Sequence, residues 1–352
     1  VSNNWARRAI VPPHVFKTID ALPFKAHPMT QFVVAIMALR TESIFAREYA
    51  SGCPKSEYWI HTFEDSMNLI ARLPRIAAYI YRRAYKNDQH IEPDTKFVDL
   101  PKSLTCAGFP IREYDEKIPS DLTAEQILIR SGNIGSVKIG QKLGVDKIKD
   151  FLIRIGILSD IEFDIPEIGK PIPFNWGKCK LLTVSFGHGI TTTLIQLAKG
   201  YAIISNGGYD ITPTLIKDKS IGYARKKRVI SKDVSLKINQ ILRRVVTEGT
   251  ASLADVKGYN VGGKTGTALI VENGKYTKKK INTFASIFPT NKPEYVLIIM
   301  LEDTKLSKDY VYKYRNKPGS FVGTPFNTAG WTSVEVAAKI IEKIGPILAT
   351  KY

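Results

Sequence analysis

Two long apolar patterns open the chain, and both have helical spacing. Over Pro28–Ala50 the apolar positions Phe32, Val33, Ile36, Met37 and Ile44 alternate with Arg40, Glu42, Arg47 and Glu48, which predicts one amphipathic helix. A second pattern begins at Thr62, a good N-cap with Asp65 three positions on, and continues through Met67, Leu69, Ile70, Leu73, Ile76, Ala77, Ile80 and Tyr81. Pro74 lies inside it and predicts a kink. No strand pattern occurs before residue 97. Beyond it the pattern changes. Thr123 and Gln126 form a capping box before a short helix, and Ile134–Leu143 and Asp146–Ile155 read as two more. The span 211–229 mixes Pro213 with basic residues and reads as loop or short strands. Ser231–Val246 is an amphipathic helix. Three strands follow: the stretch ending at Val271, a turn at Asn273-Gly274, then Thr283–Phe288, then Tyr295–Leu301, whose unbroken apolar run predicts burial on both faces. Thr332–Ile344 closes the chain as a helix. Helices, then consecutive antiparallel strands, then a helix predict an α+β domain.

The formal charge of +18 is carried mostly after residue 96 and is scattered, apart from Lys278-Lys279-Lys280 and Arg225-Lys226-Lys227-Arg228. No zinc-finger spacing or RNA-binding aromatic motif accompanies it, so nucleic acid is not an expected partner; binding by charge alone is the lesser alternative. Cys53, Cys106 and Cys179 read as singletons, neither metal ligands nor a disulfide framework. His14, His27, His61 and His90 read as structural or exposed. No cofactor or metal site is expected. The apolar run Phe32–Leu39 is too short to span a bilayer, and no signal peptide is evident.

The chemistry centres on Gly262-Gly263-Lys264-Thr265-Gly266-Thr267-Ala268, two glycines leading into a strand. A lysine there offers a fixed cation, the threonine hydroxyls can bind a carboxylate, and Gly266 lets a ligand lie flat. Upstream stands Ser131-Gly132-Asn133. With Phe186-Gly187-His188-Gly189, Ser205-Asn206-Gly207-Gly208 and Gly249-Thr250-Ala251 in order, the stretch from about 97 to 352 resembles a class B penicillin-binding protein, the cell-division D,D-transpeptidase. The segment 1–96 resembles a different family. Pro12-Pro13-His14-Val15, Ala26-His27-Pro28-Met29, Glu64-Asp65-Ser66-Met67 and Leu69-Ile70-Ala71-Arg72-Leu73-Pro74 are similar to an internal helical piece of mitochondrial-type citrate synthase. That enzyme's catalytic histidines and aspartate lie beyond this piece, so citrate synthase activity is not expected. The expected architecture is a chimera joined near Asp94–Phe97: an all-α leader, then a transpeptidase fold lacking its N-terminal part.

The resemblance to the transpeptidase implies a five-stranded antiparallel sheet flanked by helices, and an inner-membrane protein whose domain faces the periplasm. It implies D-Ala-D-Ala stem peptides, β-lactams and division-complex proteins as partners. Carried over by position, Ser131 relays a proton, Asn133 holds the acyl side-chain amide, and Lys264 supports Ser131 and attracts the substrate carboxylate. Thr265 and Thr267 bind that carboxylate beside Gly266, and the Thr267 N–H is half of an oxyanion hole. One part is missing. No lysine in the chain has a serine three residues before it, so the Ser-x-x-Lys nucleophile is absent. The chain is therefore expected not to acylate with penicillin; the alternative function is a non-covalent peptide or anionic-polymer binding module. With the nucleophile helix gone, the transpeptidase part is also expected to leave apolar surface open, and the two parts to form no common core.

Overall fold

The computed structural model describes residues 2–23, 26–85, 91–177, 179–217, 227–272, 275–305, 307–313, 318–323 and 326–350. His90, Arg225, Lys226 and the Asn273-Gly274 turn lie outside them. The chain divides into two compact units, Val1–His90 and Ile91–Tyr352, a few residues before the expected join.

The first unit is all helical: α1 (Ser2–Arg8), α2 (Pro13–Asp20), α3 (Pro28–Leu39), α4 (Ile44–Ala50) and α5 (Tyr58–Tyr85). Its core is Val11, Val15, Ile19, Ala35, Leu39, Ile76 and Ile80. Val33 and Met37, read as part of the apolar face, are exposed at 53% and 63%, because α3 packs through Gln31, Ala35 and Leu39. Buried Gln31 is held by Arg83 Nη1, which donates to its Oε1 at 2.8 Å.

The single helix expected over Pro28–Ala50 is two helices bent by 47°. The cause is a cap supplied from elsewhere in the unit. Ser43 is extended and its hydroxyl accepts from Ala46 N at 3.0 Å, starting α4. Asp65 of α5 accepts from Ser43 Oγ (2.6 Å), Ile44 N (2.8 Å) and Phe45 N (3.0 Å). A new helix start leaves backbone N–H groups without intrahelical acceptors, and this carboxylate takes two of them. Burial alone would raise the Asp65 pKa, but these hydrogen bonds outweigh it and hold the carboxyl below its ordinary range. Asp65 therefore caps α4 rather than its own helix. Thr62 is not an N-cap either: α5 begins at Tyr58, and the Thr62 hydroxyl donates to Tyr58 O at 2.8 Å. The helix continues past Pro74 to Tyr85.

The second unit holds β1 (Lys96–Phe97), β2 (Ser103–Cys106), β3 (Phe109–Arg112), β4 (Leu122–Thr123), α6 (Ala124–Arg130), α7 (Asn133–Leu143), α8 (Val145–Arg154), α9 (Lys180–Ser185), α10 (Leu194–Ser205) and α11 (Lys232–Thr247). Then come β5 (Gly262–Glu272), β6 (Lys275–Phe288), β7 (Tyr295–Glu302), β8 (Val311–Tyr312), β9 (Phe321–Val322) and α12 (Ser333–Ala349). The central sheet is antiparallel in the order β5-β6-β7, with Lys264 opposite Ala285 and Thr267 opposite Asn282. Helix α11 backs β5, and α10 and α12 pack on β6 and β7. Val245 and Val246 of α11, Val261, Phe284, and Val334 and Ile341 of α12 are buried in one core.

Three sequence expectations change here. The central sheet has three strands among the described residues, not five, because the remaining short strands pair only with each other as β1-β4, β2-β3 and β8-β9. Strand β7 is not buried on both sides. None of its residues is fully buried, and among the described residues no strand pairs with it on the side away from β6. And Cys106 is bonded to Cys179, which lies 73 residues away. The fold brings the β2-β3 hairpin to the start of α9, a closeness that sequence spacing does not show. Cys53 remains free.

Candidate functional site

The Ser-Gly-Asn motif sits where two helices meet. Helix α6 starts in the full Thr123/Gln126 capping box and ends at Ser131, which is left-handed at φ 57°, ψ 38°. That conformation is strained for a residue with a side chain and persists only when its surroundings enforce it. Glu113 does so from the chain just past β3: its carboxylate accepts from Asn133 N (2.7 Å) and Ile134 N (2.9 Å), capping α7. Asn133 Nδ2 donates to Arg112 O at 2.9 Å, and Tyr114 OH donates to Arg130 O at 2.8 Å. The ring of Tyr114 is largely exposed, but desolvation of its hydroxyl, with Asp115 and Glu113 close by, pushes its pKa up to about 12.

The Lys-Thr-Gly strand is drawn tight against its neighbours by its two glycines. A Cβ at Gly262 would lie 3.0 Å from Arg243 N, and one at Gly263 would lie 2.5 Å from Ala285 O. Next to them Lys264 Nζ donates to Ser131 Oγ at 2.5 Å and to Thr265 O at 2.9 Å. The lysine is half-buried, and desolvation of its ammonium lowers its pKa from 10.5 to about 8. On the other face of the strand, Thr265 Oγ1 and Thr250 Oγ1 are 2.7 Å apart. A Cβ at Gly266 would meet nothing within 4 Å, so the strand is open there.

Thr267 is tied inward. Its hydroxyl donates to Asn282 Oδ1 (3.2 Å) and accepts from Ala329 N (3.0 Å). Asn282 is fully buried, and its Nδ2 donates to Asn327 Oδ1 (2.7 Å) and Thr304 Oγ1 (3.1 Å). This polar set fastens the segment before α12 to β5. The sequence assigned no role to Thr250, Asn282 or Glu113. Gly249-Thr250-Ala251 was legible as a motif: a Cβ at Gly249 would lie 2.4 Å from Ile129 O, and one at Gly330 would lie 2.7 Å from Thr250 O. The turn carrying Thr250 is thus packed between the end of α6 and the start of α12. Asn282 had one signal, an amide inside the run Ile281–Phe284.

So the structure brings Ser131 and Lys264 into direct contact, sets Thr265 and Gly266 beside them on one strand, and turns the Asn133 amide and Thr267 hydroxyl toward protein partners. A hydroxyl, a cation of lowered pKa and a threonine pair along an open strand edge can hold a carboxylate and pass a proton. Among the described residues no group of three or more His, Cys, Asp or Glu side chains could hold a metal ion.

Comparison with known proteins gives two matches along the chain. The penicillin binding protein transpeptidase domain matches residues 86–319, and the citrate synthase C-terminal domain matches residues 1–105. Among relatives, a probable peptidoglycan D,D-transpeptidase FtsI of Caulobacter vibrioides is 27% identical over 242 residues, 65% of this chain and 39% of that protein. A mitochondrial citrate synthase of Daucus carota is 60% identical over 87 residues, 25% of this chain and 18% of that protein. The chain thus spans well under half the length of these relatives. Its fold is similar to that of the transpeptidase domain of penicillin-binding protein 3 from Burkholderia pseudomallei, with a TM-score of 0.62 at 24% identity, covering 73% of each chain. A peptidoglycan glycosyltransferase structure from Atopobium parvulum gives a TM-score of 0.61 at 20% identity, over 74% of this chain and 59% of that one. Motif order, sheet, site geometry and family match agree: the chain belongs to the penicillin-binding protein transpeptidase domain family, and its first hundred residues are similar to a segment of the citrate synthase C-terminal domain.

Proposed function

We propose that the unit of residues 91–352 is a peptide-carboxylate receptor derived from a D,D-transpeptidase. It binds D-Ala-D-Ala ends of stem peptides, and β-lactams that imitate them, without forming an acyl-enzyme. Penicillin-binding proteins as a family bind both ligand classes. The observation that carries the reading is the Lys264–Ser131 bond at 2.5 Å on an open strand edge, in a chain where no serine precedes a lysine by three. Lys264 attracts the carboxylate, and of the paired Thr265 and Thr250 hydroxyls the one that accepts from the other keeps its own proton to donate to it. Asn133, held by Arg112 O, presents its Oδ1 to the ligand amide. The Thr267 main-chain N–H meets the carbonyl that a nucleophile would otherwise attack. Ser131 keeps Lys264 aimed, and without an attacking serine its relay has no proton to move. The Cys106–Cys179 bond fits an oxidising compartment, which supports the periplasmic side of the inner membrane as the site of action.

Calorimetric titration with an N-acyl-D-Ala-D-Ala peptide and its C-terminal amide tests this. The carboxylate form binds more tightly at pH 7, the preference fades as pH rises through about 8 and Lys264 loses its proton, and Lys264→Ala abolishes it. Equal binding of acid and amide, or binding untouched by Lys264→Ala, overturns the reading.

A further inference from the structure

The hairpin β2-β3 runs from the binding site to the Cys106–Cys179 bond. Its strands pair Ser103 with Arg112 at one end and Cys106 with Phe109 at the other, so the disulfide holds the tip and the site hangs on the base. Three consecutive residues at that base hold the Ser-Gly-Asn segment. Arg112 O accepts from Asn133 Nδ2, the Glu113 carboxylate accepts from Asn133 N and Ile134 N, and Tyr114 OH donates to Arg130 O. Beyond the disulfide the chain returns to the same place. Cys179 is the N-cap of α9, and α9 packs on α7, where a Cβ at Gly140 would overlap Ser185 Oγ. Disulfide, hairpin, α7 and α9 therefore form a closed ring, and Asn133 lies on it. The hairpin is the weak member. Two strands alone are marginally stable, and among the described residues no third strand joins β2-β3. It gives Leu104 and Ile111 to a small core with Ile127, Ile134 and Leu182, while Phe109 at its tip is 76% exposed. The core behind the central sheet contains no hairpin residue, so it stays in place when the hairpin is freed.

We propose that the Cys106–Cys179 bond is a redox latch on the binding site: oxidised, it keeps Arg112 and Glu113 against Asn133, and reduced, it frees the hairpin and the site loses its grip on the peptide. The inference rests on the reading of this site as a peptide-carboxylate receptor. Ser131 is the sensitive point, because its left-handed backbone persists only while its surroundings enforce it, and the Glu113 cap is what enforces it. Both cysteines are half-buried, within reach of a small dithiol. Opening begins when one thiolate of that dithiol attacks either sulfur, and its second thiol resolves the mixed disulfide. Two electrons and two protons pass to the chain, which keeps two thiols, and the dithiol leaves as its own disulfide. Closing reverses the exchange with an oxidising disulfide. The receptor is thus competent in a compartment where disulfides form and idle where thiols stay reduced.

Calorimetric titration of an N-acyl-D-Ala-D-Ala peptide into the full chain tests this in the oxidised state, after dithiothreitol, and after reoxidation. Reduction weakens binding about tenfold, the worth of one well-placed hydrogen bond, and reoxidation restores it. The pair Cys106→Ser and Cys179→Ser reproduces the reduced state. A merely structural disulfide would lower stability without changing the affinity of the chains that stay folded. Glu113→Ala weakens the oxidised chain about as much, and reduction then adds little, because both act through one contact. Amide exchange reads the latch without ligand: reduction accelerates exchange at Asn133 and Ile134 more than at Phe284 and Ile287 of β6. Equal affinity in both redox states overturns the proposal, as does unchanged exchange at 133 and 134, or additive effects of reduction and Glu113→Ala. If the oxidised parent does not prefer the carboxylate peptide to its amide, the receptor reading falls by itself, and the exchange at 133 and 134 decides the latch.

Discussion

Replacing Lys264 by methionine should make the second unit more stable at neutral pH. The folded structure lowers the ammonium from 10.5 to about 8, chiefly because burial strips water from the charge. That difference corresponds to about 3 kcal/mol, present in full below pH 8. The sign follows from proton counts. Between about 8 and 10.5 the unfolded chain binds more protons at this lysine than the folded one, so stability rises with pH across that window. Below it, the folded state carries the whole cost of a half-buried cation. Methionine keeps the side-chain length without the charge, but it leaves Ser131 Oγ and Thr265 O without their donor, at about 1 kcal/mol. The expected net gain at pH 7 is about 2 kcal/mol, or about 1 M in urea midpoint. Urea unfolding of parent and Lys264→Met, followed by Trp176 and Trp331 fluorescence at pH 7 and pH 10, reads it. The variant's advantage should be present at pH 7 and mostly gone at pH 10. Equal midpoints at pH 7, or an advantage that does not change with pH, would refute a desolvated Lys264.

Asp65→Ala removes three hydrogen bonds from the start of α4 and should cost about 2 kcal/mol in the first unit, with amide exchange of residues 44–50 accelerating first; unchanged exchange there would contradict the cap. Because the Asp65 pKa is depressed, that contribution is present above the ordinary carboxylate range and is lost as pH falls through the lowered value. Dithiothreitol, or the pair Cys106→Ser and Cys179→Ser, should lower the second unit's stability by up to about 4 kcal/mol, as expected for a closed loop of this length, and an unchanged urea midpoint would show that the cysteines are not bonded. Asn282→Ala removes three hydrogen bonds, to Thr267, Thr304 and Asn327, and should cost about 3 kcal/mol in thermal unfolding. Its effect should fall short of additivity with Asn327→Ala by about 1 kcal/mol, and simple additivity would break the proposed network.

What could be read from the chain was local. The Thr123/Gln126 box, the amphipathic helix beginning at Ser231 and the strands around Lys264 each depend on residues a few positions apart, and each stands as read. The errors came from distant partners. Thr62 and Asp65 had the spacing of a cap, but a carboxylate accepts from whichever N–H groups the fold brings near, and those belonged to α4. The apolar run of β7 reports the side chains it must cover, not whether a strand exists to pair with its edge. Cys106 and Cys179 meet across 73 residues. At the site, Ser131, Lys264, Thr265 and Gly266 were visible because their motifs are contiguous. Thr250 acts through one side-chain hydrogen bond and Asn282 through three, all to other segments, and no spacing rule marks them.

The absence of an attacking serine beside an otherwise assembled Ser131–Lys264–Thr265 site is the claim on which the function turns. Intact-mass measurement of the purified chain after incubation with excess benzylpenicillin tests it most directly. The account predicts an unmodified mass at the same conditions under which the D-Ala-D-Ala peptide binds. A stoichiometric covalent adduct would mean that another residue of this chain does the attacking, and would contradict it.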